Sequence, residues 1–181
     1  MQCHVVLIFV ATIHRSIGAC NTNIQFVSSM DTLARTQCCV TIENQKHEGY
    51  ALYASARDDV IEAYPRGTMG KNQIWKVVKN GPSYQLINVG SHAAVCTNAV
   101  GDVTKCPIAT DFLQQWTPVA STKDSKYVAL VNANTEKALE GQLLKNGRCK
   151  GGKTCVEIMA RDTSAGRPRQ MWKIAEKSCS G

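Results

Sequence analysis

Short runs of Val, Ile and Leu, each only a few residues long and separated by Gly, Asn, Asp and Ser, recur along the chain. That pattern predicts many short strands joined by turns, with little helix. The runs fall into three units. Each unit opens on a strand, "CVTIENQ" at 39–45, "YQLINVG" at 84–90 and "YVALVNA" at 127–133. A second strand follows, "YALYA" at 50–54, "AAVCTN" at 93–98 and "KALEG" at 137–141. After a turn comes a third, "DVIEAYP" at 59–65, "DVTKCP" at 102–107 and "TCVEIMA" at 154–160. The strings "NQIW" at 72–75, "LQQW" at 113–116 and "RQMW" at 169–172 close the units, and they hold all three Trp of the chain, each two places after a Gln. A repeat of about 40 residues in a β-rich chain marks repeated supersecondary units.

In a strand of period two, Gln and Trp two apart share a face. The expectation is that Trp75, Trp116 and Trp172 send large apolar rings to a common core while each Gln amide satisfies backbone groups at a strand end. Three Gln-x-Trp strings in phase with three Asn-bearing strand ends resemble the ricin B-type lectin family over about Val40 to Ala175. The resemblance implies an all-β fold, a β-trefoil of three four-stranded lobes with pseudo-threefold symmetry, and it implies carbohydrate binding.

Ahead of the repeats, the apolar run "VVLIFVATI" at 5–13 is too short to span a bilayer and fits a signal-peptide core, with the small residues of "SIGA" at 16–19 for cleavage after Ala19. A buried first strand or helix, and a lipidated Cys20 in "IGAC", are the other readings of this stretch. The domain reading is a signal peptide at 1–19, an N-terminal extension at 20–37 and the trefoil at 38–181. Nine Cys are present; losing Cys3 with the signal leaves an even set, which suits an oxidising, extracellular compartment. No C-x2-C pair occurs, and metal and cofactor sites are not expected. In a trefoil the resemblance implies, Cys96 and Cys106 bracket one turn, and Cys149 and Cys155 staple an insertion in lobe three. Cys179 falls beside Cys38 or Cys39, here assigned to Cys39, which leaves the other for Cys20.

The net charge of +7 is concentrated in the last third: residues 121–181 carry 12 Lys and Arg against 6 Asp and Glu, whereas residues 20–120 carry 8 of each. Lys145, Arg148, Lys150 and Lys153 make the densest group, a field suited to sulfated or other acidic glycans. Nucleic acid is not expected as a partner.

In the family, a sugar site resembles a shallow pocket with an Asp after the second strand, an aromatic ring for stacking, and an Asn just ahead of Gln-x-Trp. Carried onto lobe one, this points to Tyr64 as the ring and to Asn72 and Gln73, with Tyr53 at the Asp position and Asp58 or Asp59 as substitutes. Lobe two offers Cys106, Asn98 and Leu113 and has lost the pattern. Lobe three offers Glu140 for the Asp, with Met159 for the ring and Arg169 for the Asn. No Gly-rich phosphate loop, paired His or G-x-S-x-G is present, so no catalytic residues are assigned. The reading is a secreted, non-enzymatic, lectin-like module that binds glycans or glycoproteins. Its alternative is a trefoil that presents loops to a protein, in the manner of protease inhibitors or cytokine-like trefoils.

Overall fold

The computed structural model describes residues 30–36, 38–143, 155–164 and 166–180. Each repeat of the sequence becomes four strands. Lobe one holds β1 (Cys39–Asn44), β2 (Tyr50–Ala54), β3 (Ile61–Pro65) and β4 (Trp75–Asn80). Lobe two holds β5 (Ser83–Asn88), β6 (Ala94–Thr97), β7 (Val103–Cys106) and β8 (Trp116–Ala120). Lobe three holds β9 (Val128–Asn132), β10 (Lys137–Leu143), β11 (Val156–Asp162) and β12 (Met171–Lys177).

Six strands close a ring: β1 pairs with β4 and β12, β5 with β4 and β8, and β9 with β8 and β12. Closure leaves these strands without an open edge, the usual hazard of a β-sheet. The other six form the hairpins β2–β3, β6–β7 and β10–β11. The hairpins join one another through β3–β11 pairing and the bridges Val60–Thr104 and Asp102–Met159. This is the all-β trefoil, with its threefold symmetry carried by the register. Trp75 lies opposite Val40 and Asn88, Trp116 opposite Tyr84 and Asn132, and Trp172 opposite Val128 and Asn44.

All three Trp are fully buried, among Ile42, Leu52, Leu86, Val95, Leu130 and Leu139. Each indole N–H donates to a carbonyl of its lobe's second strand: Trp75 to Leu52 at 2.9 Å, Trp116 to Val95 at 3.0 Å and Trp172 to Leu139 at 2.8 Å. Gln and Trp do not share a strand face, contrary to the period-two expectation. Gln73, Gln114 and Gln170 end 3-10 turns (Gly70–Gln73, Phe112–Gln114, Pro168–Gln170), and one extended residue separates each from its Trp. The turn rotates the amide away from the core and into the loop after the third strand. There Gln73 donates to Tyr64 O and Pro65 O and accepts from Gly67 N and Met69 N.

A second threefold set locks lobe to lobe. Asn44, Asn88 and Asn132 end the first strands, and each amide donates backwards to the Gln-x-Trp segment preceding it around the ring: to Arg169 O, to Asn72 O and Ile74 O, and to Leu113 O and Gln115 O. Each carbonyl oxygen meanwhile accepts two backbone N–H groups of its own turn. Gly90 follows from this tightness, because a Cβ there would meet Asn72 Oδ1 at 2.0 Å.

The N-terminal extension contributes α1 (Met30–Thr36), which puts Met30 and Leu33, three apart on one face, into the core near β4. Asp31 accepts a 2.6 Å ion pair from Lys79 at the β4 end that turns into β5. Cys39 is joined to Cys179, tying the two ends of the trefoil, and Cys96 to Cys106 across β6–β7. Cys38 and Cys155 are also disulfide-bonded. Cys149, Cys20, the segment 1–19 and the loop cations Lys145, Arg148, Lys150 and Lys153 lie outside the described residues.

Candidate functional site

The three lobes place corresponding residues at the mouth between the third strand and the 3-10 turn, and the Gln straps fix the correspondence. Gln73, Gln114 and Gln170 donate to the carbonyls of Pro65, Pro107 and Asp162. Tyr64, Cys106 and Arg161 therefore occupy one position. In the second strands, the carbonyl that receives the indole N–H makes Tyr53, Cys96 and Glu140 equivalent.

Lobe one is closed. Tyr64 was read as an open stacking ring, but it is only 5% exposed and packs against Cys155, Tyr53 and Met69. The Tyr53 ring meets it edge-on at 4.9 Å between centroids. Its hydroxyl donates to Glu62 Oε2 at 3.0 Å. Burial first, and the Glu62 carboxylate second, hold the Tyr64 phenol well above its ordinary pKa. Gln73, read as a sugar contact, is a buried strut whose amide is consumed by backbone groups. Asn72 is half-buried at the mouth and its side chain lies over Gly90. Asp58 and Asp59 are exposed in the β2–β3 turn, where Asp58 Oδ1 accepts from Val60 N at 3.4 Å. Asp58 is still near enough to add a small upward push to the Tyr64 pKa. The structure thus brings Asn72 and Gln73 beside Tyr64, and leaves the two aspartates at the hairpin tip.

Lobe two has neither an acid nor an aromatic at these positions, since Cys96 and Cys106 are bonded to each other. Asn98 is a turn residue, accepting from Val100, Gly101 and Asp102 N–H groups. Near its 3-10 turn this lobe exposes two large apolar side chains, Ile108 and, at 69%, Phe112.

Lobe three is open. A cleft of about 350 Å³ is lined by Glu140, Arg161, Asp162, Thr163, Ser164 and Arg167. Glu140 is buried on its floor, with Oε2 accepting from Gln170 Nε2 at 3.0 Å and from Arg167 Nη1 at 3.3 Å. A buried carboxylate needs such partners, and both of these bonds fall on Oε2. The sequence alignment assigned the ring position to Met159; it belongs to Arg161. Strand β11 runs seven residues, against five in β3 and four in β7, so the equivalence slips by two. Arg161 was the residue that sequence reasoning missed. The reach of Gln170 to the Asp162 carbonyl reveals it, and the pairing of Arg161 with Ala138 agrees.

His47 is half-buried, with Nε2 enclosed and without a partner among the described residues. Burial pushes its pKa below the ordinary value, Arg169 and Lys46 push it the same way, and a bond to the Gly141 backbone opposes them. Among the described residues there is no cluster of three or more metal-ligating side chains.

The sequence of residues 71–147 matches the family model described as ricin-type beta-trefoil lectin domain-like. That match begins at the 3-10 turn of lobe one, takes in lobe two and reaches the second strand of lobe three. No curated protein matches this chain in sequence. Among solved structures it is similar to a designed threefold symmetric protein, ThreeFoil, at 23% identity and a TM-score of 0.62, over 77% of this chain and 99% of that one. SeviL bound to asialo-GM1 saccharide is 17% identical at a TM-score of 0.58, over 77% and 97%. The Polyporus squamosus lectin, bound to a Neu5Acα2-6Galβ1-4GlcNAc epitope, is 12% identical at 0.62, over 76% and 48%. At these identities the structural likeness speaks for the fold alone.

Proposed function

We propose that this lectin-like domain is a secreted, non-catalytic module whose ligands are glycans, free or on glycoproteins. The observation that carries the reading is Glu140. It lies within β10, the second strand of lobe three, at the position the family resemblance gives to the acid that bonds sugar hydroxyls, and it lines the cleft. A carboxylate accepts two vicinal hydroxyls, and the straps that orient it, Gln170 and Arg167, are in place before a ligand arrives. Two of the structural neighbours are described with bound saccharides, which supports the same reading. The Cys39–Cys179 and Cys96–Cys106 bonds support an oxidising compartment. In lobe one, Asn72, Asp58 and Asp59 are the polar groups left at the surface, and we carry them as that lobe's contacts. The four cations at 145–153 give the module an affinity for acidic polymers that weakens with salt.

The test is a glycan array read with the wild type and with Glu140→Gln, the fold of the variant checked by near-ultraviolet circular dichroism. Retention of at least one glycan class by the wild type, and its weakening in a folded Glu140→Gln, is the expected result. A silent array overturns the reading. The second reading, a protein-binding trefoil, is favoured by the exposed Ile108 and Phe112 of lobe two. It takes over if the array is silent while Phe112→Ser abolishes capture of a protein partner.

A further inference from the structure

The lobe-three cleft has a chemistry that the other two lobes lack. At the position of Tyr64 and Cys106 it carries Arg161, and a guanidinium there changes what the site can read. Arg167 is committed, since it pairs with Glu140 at 3.3 Å. Arg161 is not. It is exposed, its one hydrogen bond goes from Nη2 to the Met159 sulfur at 3.0 Å, and no described carboxylate lies within ion-pair distance of it. A thioether is a weak acceptor, so this contact orients the guanidinium without satisfying it. The planar fork matches a carboxylate, which it can bind through two parallel N–H bonds.

The lining therefore holds two separate recognition elements: Glu140, which accepts hydroxyls from the floor, and Arg161, which donates to an acid at the rim. The cleft is at the small end of ligand pockets, which suits a terminal sugar more than a long chain. We infer that lobe three selects a carboxylate-bearing sugar, a uronic or nonulosonic acid residue, with the sugar carboxylate on Arg161 and ring hydroxyls on Glu140. This rests on the lectin-like reading and names the ligand class of its site.

The test uses the full chain on an array in which each acidic glycan stands beside its carboxylate-reduced counterpart, with neutral and sulfated glycans included. Three proteins are compared: wild type, Arg161→Gln, and a variant with Lys145, Arg148, Lys150 and Lys153 all changed to Gln. Arg161 is exposed and outside the core, so its variant folds. The wild type should prefer the carboxylate form by about tenfold or more, the scale of a bidentate charge-assisted pair. Arg161→Gln should erase that preference while keeping the residual affinity for hydroxyls, and the four-cation variant should keep the preference. Equal binding of both forms, or of sulfated glycans in their place, overturns the inference and leaves the lectin reading standing. Loss of the preference in the four-cation variant but not in Arg161→Gln also overturns it, because the acid is then read by the loop. Silence on every glycan overturns both.

Discussion

Gln115 occupies a position that the other lobes fill with Ile74 and Met171, the single residue between Gln and Trp. It is 3% exposed, and neither its Nε2 nor its Oε1 has a partner. Its backbone is fully used, with the carbonyl accepting from Asn132 Nδ2 and Ala133 N. Only the side chain is at odds with its surroundings. Gln115→Met keeps the length and flexibility of the chain and nearly its volume, so neither packing nor side-chain entropy changes much. What it removes is the desolvation penalty of an unpaired amide, roughly 1–3 kcal/mol for each buried unsatisfied group. The variant should therefore gain about 1–2 kcal/mol after imperfect packing is allowed for. In a domain of this size that raises Tm by roughly 2–8 °C. Urea unfolding followed by Trp fluorescence is the assay, with the midpoint moving up and the slope unchanged. A fall in midpoint would refute the reasoning, because it would mean that the amide is bonded, for instance by an enclosed water. The parallel Asn132→Ala, which removes a fully satisfied amide, should lose stability where Gln115→Met gains it.

Trp116→Ala should cost roughly 3–5 kcal/mol, because a fully buried ring leaves a cavity and strands the Val95 carbonyl that its N–H serves; an unchanged urea midpoint would put Trp116 outside the core. Gly90→Ala should destabilise through the 2.0 Å clash with Asn72 Oδ1, and Asn72→Ala in the same chain should recover part of the loss. His47 has a folded pKa below its unfolded one, so folding is favoured above the unfolded value near 6.5 and stability falls as the pH drops through that value toward the lower folded one. His47→Gln should flatten that limb of the stability–pH curve, and an identical curve would remove His47 as its source. Retention on heparin should decline with added salt and be lost when Lys145, Arg148, Lys150 and Lys153 are changed to Gln, since screening shortens the reach of exposed charges to about 8 Å at physiological ionic strength; retention that ignores salt would contradict this.

Strand positions, the three lobes and the burial of the Trp were legible in the sequence, because they depend on local alternation and on a repeat that a closed ring must honour. The Asn spaced along the first strands were legible as a pattern, yet their work as latches between lobes was not. An amide's partners on a neighbouring lobe are distant in sequence and near only after the ring closes. The site divides the same way. Glu140 is legible as the acid of the repeat, and it does line the cleft. Tyr64 was named by the same logic and is shut in, because its exposure depends on Cys155 and Met69, which other segments bring over it. Arg161 was passed over because counting along a strand cannot tell how far that strand extends before the chain leaves it. Sequence alone determined the residue types and the repeat that stacks them. Tertiary structure decided that Tyr64 is shut in while Glu140 and Arg161 line a cleft, since exposure is a property of neighbours that only the folded ring assembles.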